Sequence, residues 1–304
     1  MQTLAFKKEN IQKLKWLTTD FNEKYMRFIL AFALITILTG CEESQPVSIS
    51  SKGKLFIIGG GDRTPELMDN FKRIAHLENG SVIAVLPMAG EEPDSSFYYF
   101  QKDIPQQWGV KCVNLNFADP KADIENLKST LRQSNTIFIC GGDQLRFMEV
   151  ITRFNLQPIL TEIYMNGATI AGTSAGAAVM SEKMITGNQN TDTAYSATYV
   201  VVQKDNGIYS QGLGFIKEGI IDQHFIVRSR YNRLLSAQLD FPLLWGLGID
   251  ESTAAVFYQD SVEVVGQSYV IYFAPLKIDS SATPSHFQST TTFYRPGEKF
   301  RLTP

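Results

Sequence analysis

The chain predicts an α/β domain built on a largely parallel sheet flanked by helices, and three observations lead there. From Lys54 onward, short apolar runs of strand length alternate with longer amphipathic stretches. The runs are nearly continuous in apolar residues, as expected of strands covered on both faces. Glycine clusters stand at the ends of the runs, and in such sheets ligands bind at the carboxyl ends of the strands.

In order, the run 55–58 ends in Gly59-Gly60-Gly61 and leads to a helical stretch over 65–78. The triplet lacks the G-x-G-x-x-G spacing of a dinucleotide site and reads as a tight turn near a substrate pocket. The run 81–86 ends at Pro87, and an acidic loop and the aromatic-rich stretch 97–108 follow. The run 112–117 precedes a helix over 121–133, and the run 136–140 ends in Gly141-Gly142-Asp143-Gln144. Helical stretches to Phe154 and over 159–166 come before the run that ends in Gly172-Thr173-Ser174-Ala175-Gly176.

That last segment organises the rest. A serine between two glycines, at a turn from strand to helix, has the pattern of a nucleophile elbow; an ordinary turn rich in small residues is the alternative. In an elbow the hydroxyl stands clear of the sheet, and helix N-terminal amides lie where an oxyanion would form. Gly142 can offer a second bare N–H beside that of Ala175, and Gln144 would point a neutral amide into the cleft.

A nucleophilic serine needs a base, and the chain has three histidines. His76 reads as a surface residue of an early helix, and His286 lies in a Ser/Thr/Pro-rich loop. His224 follows the apolar run that starts at Glu218, which places it at the sheet's carboxyl edge beside Asp222 and Gln223. Arg228, Arg230 and Arg233 come next. Guanidinium forks suit carboxylate recognition, and Arg230 and Arg233, three apart, share a helix face on which one ligand can meet both; a solvated face is the alternative. A carboxylate should orient the imidazole. Glu251, at the end of the run 247–250, is favoured over Asp192, because a strand end holds a side chain more firmly than the polar loop after the elbow.

Composition narrows the classes. The 304 residues are 44% hydrophobic and 19% charged, as a globular protein with a sizeable core requires. A formal charge of -3 leaves no basic footprint for nucleic acid. Three cysteines exclude a disulfide-rich scaffold; Cys112 and Cys140, in or at the ends of strands, read as two buried thiols, although spacing does not settle whether they pair. No metal or cofactor is implied.

Residues 1–41 read as a leader. An apolar run from Phe28 to Leu38 is too short to span a bilayer but suits a secretory signal, and Met26 is a plausible internal start. Leu38-Thr39-Gly40-Cys41 resembles a bacterial lipobox, in which Cys41 would carry the lipid; a plain signal peptide is the alternative. Residues 42–53 then form a tether and 54–304 the catalytic domain. The expected location is outside the cytoplasm, as a periplasmic or cell-surface lipoprotein that meets the membrane only through its anchor.

Taken together, Gly172 to Ala177, Gly141 to Gln144, Asp222 to Phe225 with the three arginines, and Gly248 to Glu251 resemble the cyanophycinase family, serine peptidase family S51, which also contains the aspartyl dipeptidases. The ending Arg295 to Leu302 is similar to that family's closing strand, so the likeness covers about 54–302. It implies a class I glutamine-amidotransferase-like, flavodoxin-like three-layer sandwich, with serine in place of the usual cysteine. It also implies cleavage of the β-aspartyl-arginine polymer cyanophycin or of related β-aspartyl peptides. By matching position, Ser174 would be nucleophile, His224 base and Glu251 acid; in the dipeptidase branch the acid follows the nucleophile, which keeps Asp192 open. Gln144, Asp222, Gln223, Arg228, Arg230 and Arg233 would form the substrate pocket. The polar segment 187–214 departs from the pattern and bears on polymer specificity. An α/β-hydrolase esterase and a non-catalytic aspartyl-peptide-binding lipoprotein are the rival readings, and the choice between monomer and homodimer stays open.

Overall fold

A computed structural model describes residues 53–302, apart from 193, 195, 260 and 280–285. The expected leader with Cys41, and the tether up to residue 52, lie outside the described residues. The main sheet has eight strands. Five are parallel, β1 (Lys54–Ile58), β2 (Val82–Leu86), β3 (Lys111–Asn114), β4 (Thr136–Ile139) and β5 (Thr169–Thr173), in the order β1-β5-β4-β2-β3. Beyond β1 the sheet continues antiparallel, through the strands Thr253–Tyr258, Ser261–Gly266 and Lys299–Arg301. The last of these is the closing strand expected from the ending Arg295 to Leu302.

Strand β1 shows why both faces must be covered. Leu55 and Ile57 enter one core cluster, and Phe56 and Ile58 enter another on the opposite face, as a two-residue side-chain period requires. Helices α1 (Pro65–Ile74) and α2 (Pro93–Lys102) cover the second face with Leu67, Phe71 and Phe100. Phe100 stacks on Phe138 at 3.9 Å, and truncating either to alanine should cost about 3–5 kcal/mol. Helices α3 (Ile124–Arg132), α4 (Gln144–Arg153) and α5 (Gln157–Met165) cover the first face. Helix α1 stops at Ile74, short of the expected 78, because His76 adopts a φ of 51°. Helix α3 starts later than expected, where Asp123 accepts the N–H of Asn126 at 3.1 Å and caps it.

A second sheet of four strands packs against the first face. Its order is Thr291–Tyr294, Val270–Phe273, Trp245–Ile249 and Gly219–Gln223. The last two of these are β9 and β8 in chain order, with β6 (Lys183–Gln189) and β7 (Gly207–Gln211) forming a separate hairpin. Ile221, Leu247 and Ile249 face the main core, whereas Ile220 packs with Leu234 of the helix Tyr231–Asp240. This corrects one expectation: His224 and Glu251 follow strands of this second sheet and not of the sheet that carries Ser174. Linear pattern gives a strand's length and burial, but its sheet is decided by distant pairing.

Candidate active site

The elbow is sterically demanded. Ser174 has φ 54° and ψ −110° between β5 and the short helix Ala175–Ala178, a conformation that costs a non-glycine residue about 1–3 kcal/mol. A Cβ on Gly172 would overlap the carbonyl of Gly176, and one on Gly176 would overlap that of Ile139. The chain can turn this tightly only with both glycines present. The turn is anchored where the Ser174 N–H donates to the Ile58 carbonyl at 3.1 Å.

The end of β1 is also where the two sheets meet. The His224 N–H donates to the Gly59 carbonyl at 2.6 Å, and the Ser252 N–H donates to the Gly60 carbonyl at 2.8 Å. Gly60 lies against the imidazole of His224, and Gly61 lies against the Glu251 side chain, so neither position has room for a Cβ. The triplet Gly59-Gly60-Gly61, read from sequence as a turn near a pocket, is the seat on which His224 and Glu251 rest.

Three side chains form a hydrogen-bonded chain across this junction. The Ser174 hydroxyl donates to Nε2 of His224 at 2.9 Å, and Nδ1–H of the same ring donates to the Glu251 carboxylate at 2.5 Å. His224 is buried, and that burial lowers its pKa below the ordinary 6.5; Arg228 and Arg230 push the same way, while Glu251 opposes them. The neutral imidazole is thereby favoured, which is the form able to take a proton from a hydroxyl. Asp192 lies elsewhere, exposed on the polar insert, where it accepts the N–H of Ala194 at 3.0 Å. The carboxylate at Nδ1 is that of Glu251.

Gly141 packs over Ser174, its ideal Cβ 3.3 Å from the serine Cβ. Gly142 has φ 141° and lies against the Ala89 carbonyl, with no room for a side chain. Among the described residues no acceptor takes the N–H of Gly142 or of Ala175. Gln144 is buried and donates its amide to the carbonyls of Ile185 and Thr186, at 3.0 and 2.7 Å. Its Nε2 therefore holds the β6 backbone, which leaves its carbonyl oxygen as the group available to a ligand.

The arginines divide. Arg233 grips Asp222 with its fork, Nε to Oδ2 at 2.9 Å and Nη2 to Oδ1. Arg230 donates to the backbone and side-chain oxygens of Gln223 at 2.8 and 2.7 Å and to the Ala197 carbonyl at 3.0 Å, with Asp222 3.8 Å away. Asp222 thus lies against both guanidiniums inside the protein. Both guanidiniums are buried. Arg228 is half-buried, its N–H donates to the His224 carbonyl at 3.0 Å, and no carboxylate among the described residues pairs with it. The polar insert docks on this side: Thr198 donates to the Ser229 carbonyl at 2.6 Å, and Asn232 donates to the carbonyls of Tyr199 and Val200.

Cys112 and Cys140 are free thiols; Cys140 is buried as expected, whereas Cys112, near the edge of the sheet, is only half-buried, and burial pushes Cys140 up to about 12 and Cys112 to about 11. His76 is exposed, its Nε2 2.7 Å from Lys54 Nζ, and His286 is exposed on a short edge strand. Among the described residues, no three His, Cys, Asp or Glu side chains gather as a metal site.

Residues 55–265 match Peptidase family S51. A cyanophycinase of Geminocystis herdmanii (strain PCC 6308) is 33% identical over 224 residues, covering 72% of this chain and 79% of the relative. A cyanophycinase of Nostoc sp. (strain PCC 7120 / SAG 25.82 / UTEX 2576) is 30% identical over 241 residues, covering 77% and 78%. Among solved structures, a peptidase from an acI-B1 Actinobacterium superposes with a TM-score of 0.61 at 22% identity, covering 83% of this chain and 98% of that one. That likeness bears on the fold, which is flavodoxin-like with helices on both faces of its central sheet. The chain belongs to Peptidase family S51 and is a serine peptidase.

Proposed function

We propose that the protein hydrolyses β-aspartyl peptide bonds, with Ser174 as nucleophile, His224 as base and Glu251 as the carboxylate that orients the imidazole. The observation that carries this reading is the unbroken contact chain from hydroxyl to imidazole to carboxylate, at 2.9 and 2.5 Å. Ser174 Oγ adds to the side-chain carbonyl carbon of the β-linked aspartyl residue while its proton passes to Nε2. The N–H groups of Ala175 and Gly142 receive the oxyanion. Collapse breaks the C–N bond, the imidazolium gives its proton to the leaving amine, and water then cleaves the aspartyl ester with His224 again as base. Arg228, the guanidinium not engaged by Asp222, receives a substrate carboxylate.

The substrate class is proposed from the relatives, which are named for cyanophycin cleavage. The order of the three residues along the chain, serine, histidine, glutamate, differs from the serine, acid, histidine of α/β-hydrolase esterases. The test is mass spectrometry of products from cyanophycin, β-aspartyl dipeptides and simple esters, with Ser174→Ala beside the parent. Aspartyl release that vanishes in the variant supports the reading; release at the parent rate refutes it. We also propose export and lipidation at Cys41, for which loss of metabolic lipid labelling in Cys41→Ser is the check.

A further inference from the structure

Asp250 precedes Glu251, and neither the triad nor the pocket assignment uses it. It is buried, at 4% exposure. One carboxylate oxygen, Oδ1, accepts the N–H groups of both Ile226 and Val227 at 3.0 Å, and Oδ2 accepts the Ser268 hydroxyl at 2.6 Å. Ile226 and Val227 open the turn 225–230 that follows His224, and bonds from Arg228 N–H to His224 and from Arg230 N–H to Phe225 close it. The first N–H groups of such a turn have no partner within it. Asp250 supplies from another segment what a capping side chain supplies from the preceding residue, and a charged acceptor strengthens each bond.

The other side of the clasp leads to Glu251. Ser268 donates its N–H to Thr253 Oγ1 at 2.8 Å, and that hydroxyl donates to the Glu251 carbonyl at 3.0 Å. His224 itself sits at φ 48°, a backbone conformation that holds only where its surroundings determine it. We infer that Asp250 is a positioning residue: its carboxylate ties the turn bearing His224 and Arg228 to the segment bearing Glu251, and so fixes the line from imidazole to carboxylate. This rests on the roles proposed above for Ser174, His224 and Glu251.

The test compares Asp250→Ala, Asp250→Asn and Ser174→Ala on a β-aspartyl dipeptide, at a temperature where each is folded by circular dichroism. The downfield proton resonance of the imidazole Nδ1–H is recorded alongside. A displacement of about 1 Å costs about 100-fold in rate, so Asp250→Ala should lose about that much in kcat and lose the resonance. Asparagine keeps an Oδ1 for both N–H groups and an amide that can donate to Ser268, so it should restore most of the rate and the resonance. A carboxylate with a purely structural role would move only the melting temperature. Asp250→Ala with parental kcat and an intact resonance therefore overturns the inference. If Asp250→Ala does not fold, Ser268→Ala decides: a several-fold fall in kcat supports the clasp, and an unchanged kcat overturns it. Parental turnover by Ser174→Ala would instead strike down the reading on which the inference rests.

Discussion

A single methyl group on Gly60 should disable the enzyme while leaving it folded. Gly60 has φ +113°, and an ideal Cβ there would lie 2.7 Å from Nδ1 of His224 and closer still to Cε1 and Nε2. Ordinary contact begins at 3.4 Å, so the ring must retreat by about 1 Å, which takes Nε2 out of line with Ser174 and costs about 100-fold in kcat. The unusual φ adds about 1–3 kcal/mol of destabilisation. Gly80 supplies the control: its φ is +89°, yet nothing lies within 4 Å of its ideal Cβ. Both variants should lose stability by denaturant titration, Gly60→Ala the more because its overlap with the buried imidazole adds to the cost of the φ, and only Gly60→Ala should lose kcat on a β-aspartyl dipeptide. Parental kcat in a folded Gly60→Ala protein would refute the claim that the end of β1 seats the imidazole.

The pH profile should follow from burial of His224. Because its pKa is held below the ordinary 6.5, the acid limb of kcat/KM should fall below that value, and Glu251→Gln should move it lower still by removing the group that favours the cation. The same shift makes His224 a source of stability that is full above about 6.5 and lost as pH drops through the folded value, readable from melting temperature against pH. Arg228→Gln should raise KM about ten- to a hundredfold with little change in melting temperature, as loss of a charge-assisted bond implies. Arg233→Met should instead remove the forked partner of the buried Asp222, leaving it only Arg230 at 3.8 Å, and cost up to about 3–5 kcal/mol of stability, measured by denaturant titration. Thiol reagents at neutral pH should leave activity unchanged, because burial keeps Cys140 at about 12 and Cys112 at about 11, both far from thiolate.

Much of the fold was legible because the parallel strands are apolar on both faces: the runs at Leu55, Ile83, Ile137 and Ile170 have few polar residues to mislead. The candidate residues were legible because each follows such a run. Sheet membership was not, since nothing local to Gly219–Gln223 or Trp245–Ile249 says that they pair with each other and with Val270–Phe273. Side-chain partners were hidden for the same reason. Arg230 and Arg233 share a face as their spacing implied, but that face turns inward onto Asp222 and Gln223. The adjacent acids Asp250 and Glu251 lie just past the strand Trp245–Ile249, and there the carboxylate of Glu251 meets His224 while that of Asp250 clasps the turn behind it.

The most direct test of the account is covalent labelling with a serine-directed organophosphorus reagent, followed by peptide mass spectrometry and residual activity on a β-aspartyl peptide. One adduct is expected, on Ser174, growing in step with the loss of activity and absent from His224→Ala. Complete inactivation with the adduct on another residue, or a fully labelled Ser174 with undiminished turnover, would contradict it.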